Sequence, residues 1–203
     1  MMKIALSIVM AGLALMMVAF LVSAQQPPAD SSMKKSEVKM EVYCPDFKEG
    51  EAIPAKFTCD GQDLSPALNI LNVPKEAKSL TLICDDPDAP SGDFVHWIIY
   101  NIPLEARMLP EGITRAVSSI VKIKGQEFAL QHGRNDFGRY GYGGPCPPKG
   151  KPHRYYFKVY ALDTKFDFTI EEIKSGITKK ILLERMKDHV LAEASLLGTY
   201  QRK

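Results

Sequence analysis

Residues 79–102, SLTLICDDPDAPSGDFVHWIIYNI, read as two β-strands joined by a stiff acidic loop, and that reading sets the fold. Ser79–Cys84 and Phe94–Ile102 are rich in β-branched and aromatic side chains and are bounded by turn residues. Between them Pro87 and Pro90 fix φ and remove two backbone donors, so Asp85, Asp86 and Asp88 are held close together. Adjacent carboxylates repel, and at least one gains affinity for a proton or a donor partner. Strand alternation puts Phe94, His96 and Ile98 on one face and Val95, Trp97 and Ile99 on the other. With the Phe94 face turned toward the loop, His96 lies near the carboxylates. Two readings follow: a buried imidazole satisfied by an acid, or one wall of a polar pocket.

The same alternation of short apolar runs with Gly, Pro, Asp and Asn clusters continues from Met40 onward, the pattern of an antiparallel β protein. A third clear strand is Arg154–Leu162, with weaker ones at Lys39–Tyr43, Ala67–Leu71 and Ser118–Ile123. Helix is expected only late. Thr169-Ile-Glu-Glu172 fits a capping box, opening a short helix from Ile170 that stops at Gly176. A second helix is predicted from Thr178 to about Val190, with Leu182, Met186 and Val190 on one face. Leu196–Tyr200 would close the chain as an edge strand. The fold class is mainly β: an antiparallel β-sandwich with Greek-key-like connections and short peripheral and C-terminal helices.

Composition is that of an ordinary globular domain, 45% hydrophobic and 25% charged. Ile4 to Val22 carry no charge and follow Lys3, and Val22-Ser23-Ala24 supplies small residues for cleavage, so residues 1–24 read as a secretory signal. A run of this length is also long enough to span a bilayer as an uncleaved anchor. Residues 25–39, rich in Pro, Ser, Lys and Gln, form a flexible tether, leaving residues 40–203 as one domain. The expected location is periplasmic or secreted, or membrane-anchored through residues 4–22 if the signal is retained. The chain carries a formal charge of +2, of which Lys3 leaves with the signal, and has no basic stripe with interleaved aromatics, which argues against nucleic acid. Four cysteines in an exported domain permit one or two disulfides, and their spacing is not that of a zinc site.

A second stretch, GYGGPCPPKGKPHRYYFKVYALD at 141–163, bears on the pocket reading. It falls at the end of Gly133–Gly150, a long glycine- and proline-rich segment of the kind that carries function inside compact domains. Its glycines allow close backbone approach, its prolines hold the shape, and His153 and Tyr155 share a face of the following strand. Glycine N–H groups, imidazoles and a phenol are donors suited to a small anion. The alternative is a well-ordered connection with no ligand.

DPDAP followed by His96-Trp97, then GYGGPCPPKGKPHRY, resembles the phosphatidylethanolamine-binding protein family, also called Raf kinase inhibitor proteins. Thr58-Cys-Asp-Gly-Gln-Asp-Leu-Ser-Pro66 and His189–Tyr200 resemble its bacterial branch. The likeness runs from about Tyr43 to Tyr200. It implies an antiparallel β-sandwich with a shallow anion pocket built from Asp86, Asp88, Pro90, His96, Gly144, Pro147, His153 and Tyr155, taking phosphate, the phosphoethanolamine head group or small oxyanions. It also implies a cis bond at Ala89–Pro90. Where animal members carry Trp-His-His, this chain has Phe94-Val95-His96, and Ser91-Gly92-Asp93 is a shorter connection; both changes should open the rim.

In the pocket so implied, His96 and His153 would donate to an oxyanion, Asp86 would orient one imidazole, Tyr155 would add a hydroxyl and Gly144 its backbone. An anion beside Asp86 is unfavourable unless a cationic end is bound as well, so a zwitterion such as phosphoethanolamine satisfies both signs. The expected function is a small-anion or phospholipid head-group binding module, not an enzyme, needing no cofactor or metal and open to membrane-surface association. Alternatives are an inhibitor or scaffold acting on an unidentified protease or kinase, and an acid–base hydrolase. No Gly-x-Ser-x-Gly elbow exists, and the candidate nucleophile Cys146 is expected to be tied up by Cys59. A metal held by Asp86, Asp88, His96 and His153 explains the glycines less well.

Overall fold

A computed structural model describes residues 39–203. The expected signal, residues 1–24, and all but the last residue of the tether lie outside the described residues. Among the described residues, no helix is long and apolar enough to cross a membrane.

The elements in chain order are β1 (Glu41–Tyr43), β2 (Leu68–Leu71), β3 (Ser79–Asp86), β4 (Phe94–Ile102), β5 (Met108–Leu109), β6 (Ser118–Ile123), β7 (Gln126–His132), β8 (His153–Leu162), α1 (Ile170–Ser175), α2 (Lys179–Met186) and β9 (Val190–Tyr200). Six strands form one sheet in the order β6-β7-β4-β3-β8-β9, and three form a smaller sheet in the order β1-β2-β5. The run β7-β4-β3-β8 places the last of four strands beside the first, which is Greek-key order.

The two faces of the large sheet bury different things. Toward the small sheet, Leu80, Leu82, Cys84, Trp97, Ile99, Phe157 and Val159 pack against Val42, Leu68, Ile70 and Leu109. On the opposite face Ile83, Ile98, Tyr100 and Leu162 pack against Phe166, Ile177 and the Leu182 and Met186 side of α2. A strand buried on both faces should read as a continuous apolar run rather than an alternation, and β3 and β4 do.

The capping box forms as the sequence indicates. Thr169 Oγ1 accepts from the Glu172 amide at 3.2 Å, and Glu172 Oε2 accepts from the Thr169 amide at 2.8 Å. Because α1 buries no side chain, this cap contributes much of what holds the turn. Thr169→Ala is expected to cost about 1 kcal/mol in urea unfolding and to leave core protection in hydrogen exchange unchanged. The second helix is shorter than predicted. It ends at Met186, because Asp188 adopts a positive φ of 67° and turns the chain into β9. Val190 is therefore a strand residue, and His189 lies beyond the helix with Nδ1 2.8 Å from Asp163 Oδ1. His132 is the buried last residue of β7.

Candidate functional site

The pocket sits at one end of the face that meets the small sheet, and a β-bulge brings His96 into it. Cys84 pairs with Trp97 but Asp85 pairs with Val95, so His96 is the extra residue on β4. A bulge lets two consecutive side chains escape strict alternation. The simple alternation predicted for β4 is therefore corrected: Val95 packs with Ile98 on the helix side, while Phe94 and His96 keep company with the Trp97 side. There the His96 ring meets Tyr155 edge-on at 5.1 Å and Phe94 at 5.3 Å between centroids.

Six of the eight expected residues line one cavity of about 290 Å³: Asp86, Pro90, His96, Pro147, His153 and Tyr155. Two do not. The Asp88 carboxylate turns outward to Arg154, whose Nε and Nη2 reach it at 2.9 and 2.8 Å. Hydrogen bonding to that guanidinium holds the Asp88 carboxyl down at about 2. The Gly144 amide does not face the cavity either; it donates to Asp63 Oδ1 at 2.6 Å. The four residues weighed as an alternative metal set consequently do not converge, since Asp88 is held by Arg154. The Ala89–Pro90 bond is trans, as are all the others among the described residues, which corrects the cis expectation.

The cavity walls also include Ala89, Ser91, Phe94, Phe137, Cys146 and Pro148, none of which is among the eight expected ligand residues, and of these Phe137 alone was not singled out in the sequence. Phe137 completes an aromatic rim, 4.8 Å from Phe94 and 5.3 Å from His96 between centroids. Its only sequence signal was its place in the long glycine-rich segment. Cys146 is joined to Cys59 with their Cα atoms 5.4 Å apart, so the expected pairing is present. Cys44 and Cys84 remain buried thiols.

The polar floor has a defined hydrogen-bond logic. His153 Nδ1 donates to Asp86 Oδ2 at 2.8 Å, and Asp86 Oδ1 accepts the Asp88 amide at 2.8 Å. That fixes the His153 ring with Nε2 as its remaining polar atom. His96 Nδ1 lies 2.6 Å from the Gly143 carbonyl oxygen. A carbonyl only accepts, so Nδ1 carries the hydrogen and Nε2 of the neutral ring is a lone pair. Burial lowers the His96 pKa, only partly opposed by the Gly143 carbonyl and nearby Asp86. The neutral form therefore persists at pH 7, and His96 accepts a hydrogen bond rather than donating one. That reverses the role expected for it. Tyr155 is fully buried, and its hydroxyl has no hydrogen-bond partner. Burial, with the Asp86 carboxylate beside it, pushes the phenol well above its ordinary value, so it stays a donor.

This is a pocket-bearing antiparallel β-sandwich, closed at one end by two proline-pinned loops over an aspartate–histidine pair. The sequence model of the phosphatidylethanolamine-binding proteins matches residues 44–201, and the chain belongs to that family. It is 43% identical over 166 residues to a UPF0098 protein of Aquifex aeolicus, covering 80% of this chain and 89% of that one. A UPF0098 protein of Methanothermobacter thermautotrophicus is 47% identical over 156 residues, 77% of this chain and 95% of that one. Among solved structures, a phosphatidylethanolamine-binding protein homolog of Chlamydia trachomatis superposes with a TM-score of 0.68 at 40% identity, over 81% of this chain and 99% of that one. YbcL of E. coli, described as a member of the mammalian family, gives 0.69 at 32% identity, over 82% and 100%.

Proposed function

We propose that the domain is an exported, non-catalytic binding protein for a small anion or zwitterion of the phosphoethanolamine type. The observation that carries this reading is the Tyr155 hydroxyl, a buried donor that completes no hydrogen bond although the Asp86 carboxylate lies beside it, in a side chain that lines the cavity. An unsatisfied buried donor is costly, and a ligand oxygen relieves it. Beside it the His96 Nε2 lone pair needs a donor, and an ammonium or a protonated phosphate oxygen supplies one. Among the described residues no lysine or arginine lines the cavity, so a ligand carrying both signs fits better than a bare polyanion. The apolar walls suit the short hydrocarbon link between the two ends.

Two observations support the rest. Cys146, the cysteine in the cavity wall among the described residues, is disulfide-bonded to Cys59, which leaves it no thiol or thiolate for nucleophilic chemistry. A surface disulfide also fits an oxidising compartment, in line with a cleaved or retained signal at residues 1–24.

The test is calorimetric titration of phosphoethanolamine, inorganic phosphate and ethanolamine, with phosphatidylethanolamine vesicles as a separate arm to distinguish free head group from lipid. Phosphoethanolamine should bind more tightly than either fragment. Tyr155→Phe should weaken it by about tenfold to hundredfold, the value of one hydrogen bond to a charged group. The same variant should melt no lower than the wild type, since it deletes only an unsatisfied oxygen. Equal affinity in Tyr155→Phe would remove the reading.

A further inference from the structure

We propose that Asp63, outside the cavity, is a positioning residue that selects the tautomer of His96 by anchoring the peptide unit between Gly143 and Gly144. The carbonyl of that unit accepts from His96 Nδ1 at 2.6 Å, and its N–H donates to Asp63 Oδ1 at 2.6 Å. One peptide plane therefore joins a carboxylate on one side to a pocket imidazole on the other. The Gly143 amide, in the preceding peptide, donates to the His96 carbonyl at 2.9 Å and keeps the two segments in register.

Both flanking residues must be glycine for packing reasons. A Cβ at 143 would come within 2.5 Å of the Phe137 ring, and one at 144 within 2.3 Å of the Phe57 carbonyl oxygen. Glycines on both sides also leave the peptide unit free to turn over, because neither carries the Cβ that would restrict φ and ψ. Turned over, it would present the Gly144 N–H to His96 in place of the Gly143 carbonyl. Nδ1 would then have to accept, and Nε2 would carry the hydrogen into the pocket. The Asp63 carboxylate opposes this, since it binds the N–H and would repel a carbonyl oxygen. Polarising the peptide from its N–H end also makes the carbonyl a stronger acceptor.

Asp63 is itself held with unusual firmness. Its φ of 56° lies in the left-handed region, a conformation that a residue with a Cβ adopts only when its surroundings insist. Arg115 Nη2 reaches Oδ2 at 2.5 Å, Arg139 Nη2 approaches the same oxygen at 3.5 Å, and Arg115 Nε donates to the Tyr142 carbonyl at 2.6 Å. The pocket thereby keeps an acceptor at His96 next to a donor at Tyr155, which selects a ligand able to supply one hydrogen and take another. That selectivity rests on the head-group reading; the tautomer assignment does not.

Long-range proton–nitrogen NMR of the imidazoles in isotope-labelled, ligand-free protein near pH 7 reads the tautomer directly. Wild type should show His96 protonated at Nδ1 alone. Asp63→Ala should populate the Nε2-protonated form, and Asp63→Asn, which keeps a side-chain oxygen, should restore most of the wild-type signal. Phosphoethanolamine affinity should fall about tenfold to hundredfold in Asp63→Ala and recover in part in Asp63→Asn. A folded Asp63→Ala with the His96 tautomer unchanged overturns the proposal. Where Asp63→Ala gives no dispersed spectrum, Asp63→Asn decides: loss of the charge should raise the Nε2-protonated fraction above wild type, and no rise overturns it. A tautomer change in a protein whose wild type ignores phosphoethanolamine would support the role of Asp63 and discard the head-group reading.

Discussion

Lowering the pH from 7 to 4 is expected to cost the fold about 3 kcal/mol through His132 alone. His132 Nε2 is 2.9 Å from Ser119 Oγ, and that hydroxyl donates to the Thr114 carbonyl at 2.5 Å. Ser119 must therefore accept from Nε2–H, which leaves Nδ1 a bare lone pair, buried and without a partner. Protonating Nδ1 would bury an N–H and a charge with nothing to receive them. Desolvation accordingly lowers the His132 pKa from 6.5 to about 4. The sign follows from which state takes up the proton first. The unfolded chain binds it near 6.5 and the folded protein only near 4, so stability is complete above 6.5, declines as the pH falls through that window, and levels off below. His96, whose pKa is also lowered by burial, adds in the same direction. Urea unfolding of wild type and His132→Gln at pH 7 and pH 4 isolates the effect. The variant starts less stable but should lose about 3 kcal/mol less on acidification, and an equal loss in both proteins would refute the assignment.

Much of this fold is legible because its strands announce themselves. Residues 79–84, 94–102 and 154–162 are apolar runs bounded by turn residues, and all three are strands of the large sheet. β7 went unrecognised because its hairpin turn is Lys124-Gly125. Both residues take positive φ, 50° and 87°, as a two-residue hairpin loop demands, but lysine is not a residue that advertises that conformation. The bulge at His96 was equally silent, since nothing in FVHWIIYNI marks an extra residue, and without it the face assignment came out wrong beyond His96.

The site divides along the same line. Side chains carried by regular strands, His153 and Tyr155, face the cavity as alternation requires. Those carried by loops were placed correctly only where proline fixes the backbone, as at Pro90 and Pro147. Asp88 and Gly144 belong to the expected motifs, yet their polar groups are claimed by Arg154 and Asp63, competitors that lie 66 and 81 residues away in the chain. Such competition depends on tertiary pairing and leaves no local signature. Asp63 was visible only as part of a stretch resembling the bacterial branch, with no chemical role attached.

The adjacent carboxylates Asp85 and Asp86 show why neighbours in the chain need separate accounts. Asp86 faces the pocket; Asp85, one residue earlier on β3, faces the helix side and is fully buried. Lys179 Nζ lies 2.6 Å from Asp85 Oδ2, Lys158 Nζ lies 2.9 Å away, and Lys179 also contacts Asp93. This cluster ties the first turn of α2 to β3 and to the far end of the loop that follows Asp86 and carries Pro90. The lysine side chains are 27% and 19% exposed, so either ammonium can reach water if its partner is lost. The carboxylate has no such escape. Removing both cations should therefore hurt more than removing the anion. Lys158→Met with Lys179→Met is expected to cost about 3–5 kcal/mol at pH 7, the penalty of an uncompensated buried charge. Asp85→Asn should cost about 1–3 kcal/mol, the loss of charge-assisted hydrogen bonds. Adding Asp85→Leu to the double variant should restore most of the loss, because an apolar cluster of similar volume replaces the ion triad. Urea unfolding of the three proteins gives the ranking. A double lysine variant no less stable than Asp85→Asn would mean that water reaches Asp85 and that the buried-charge account is wrong.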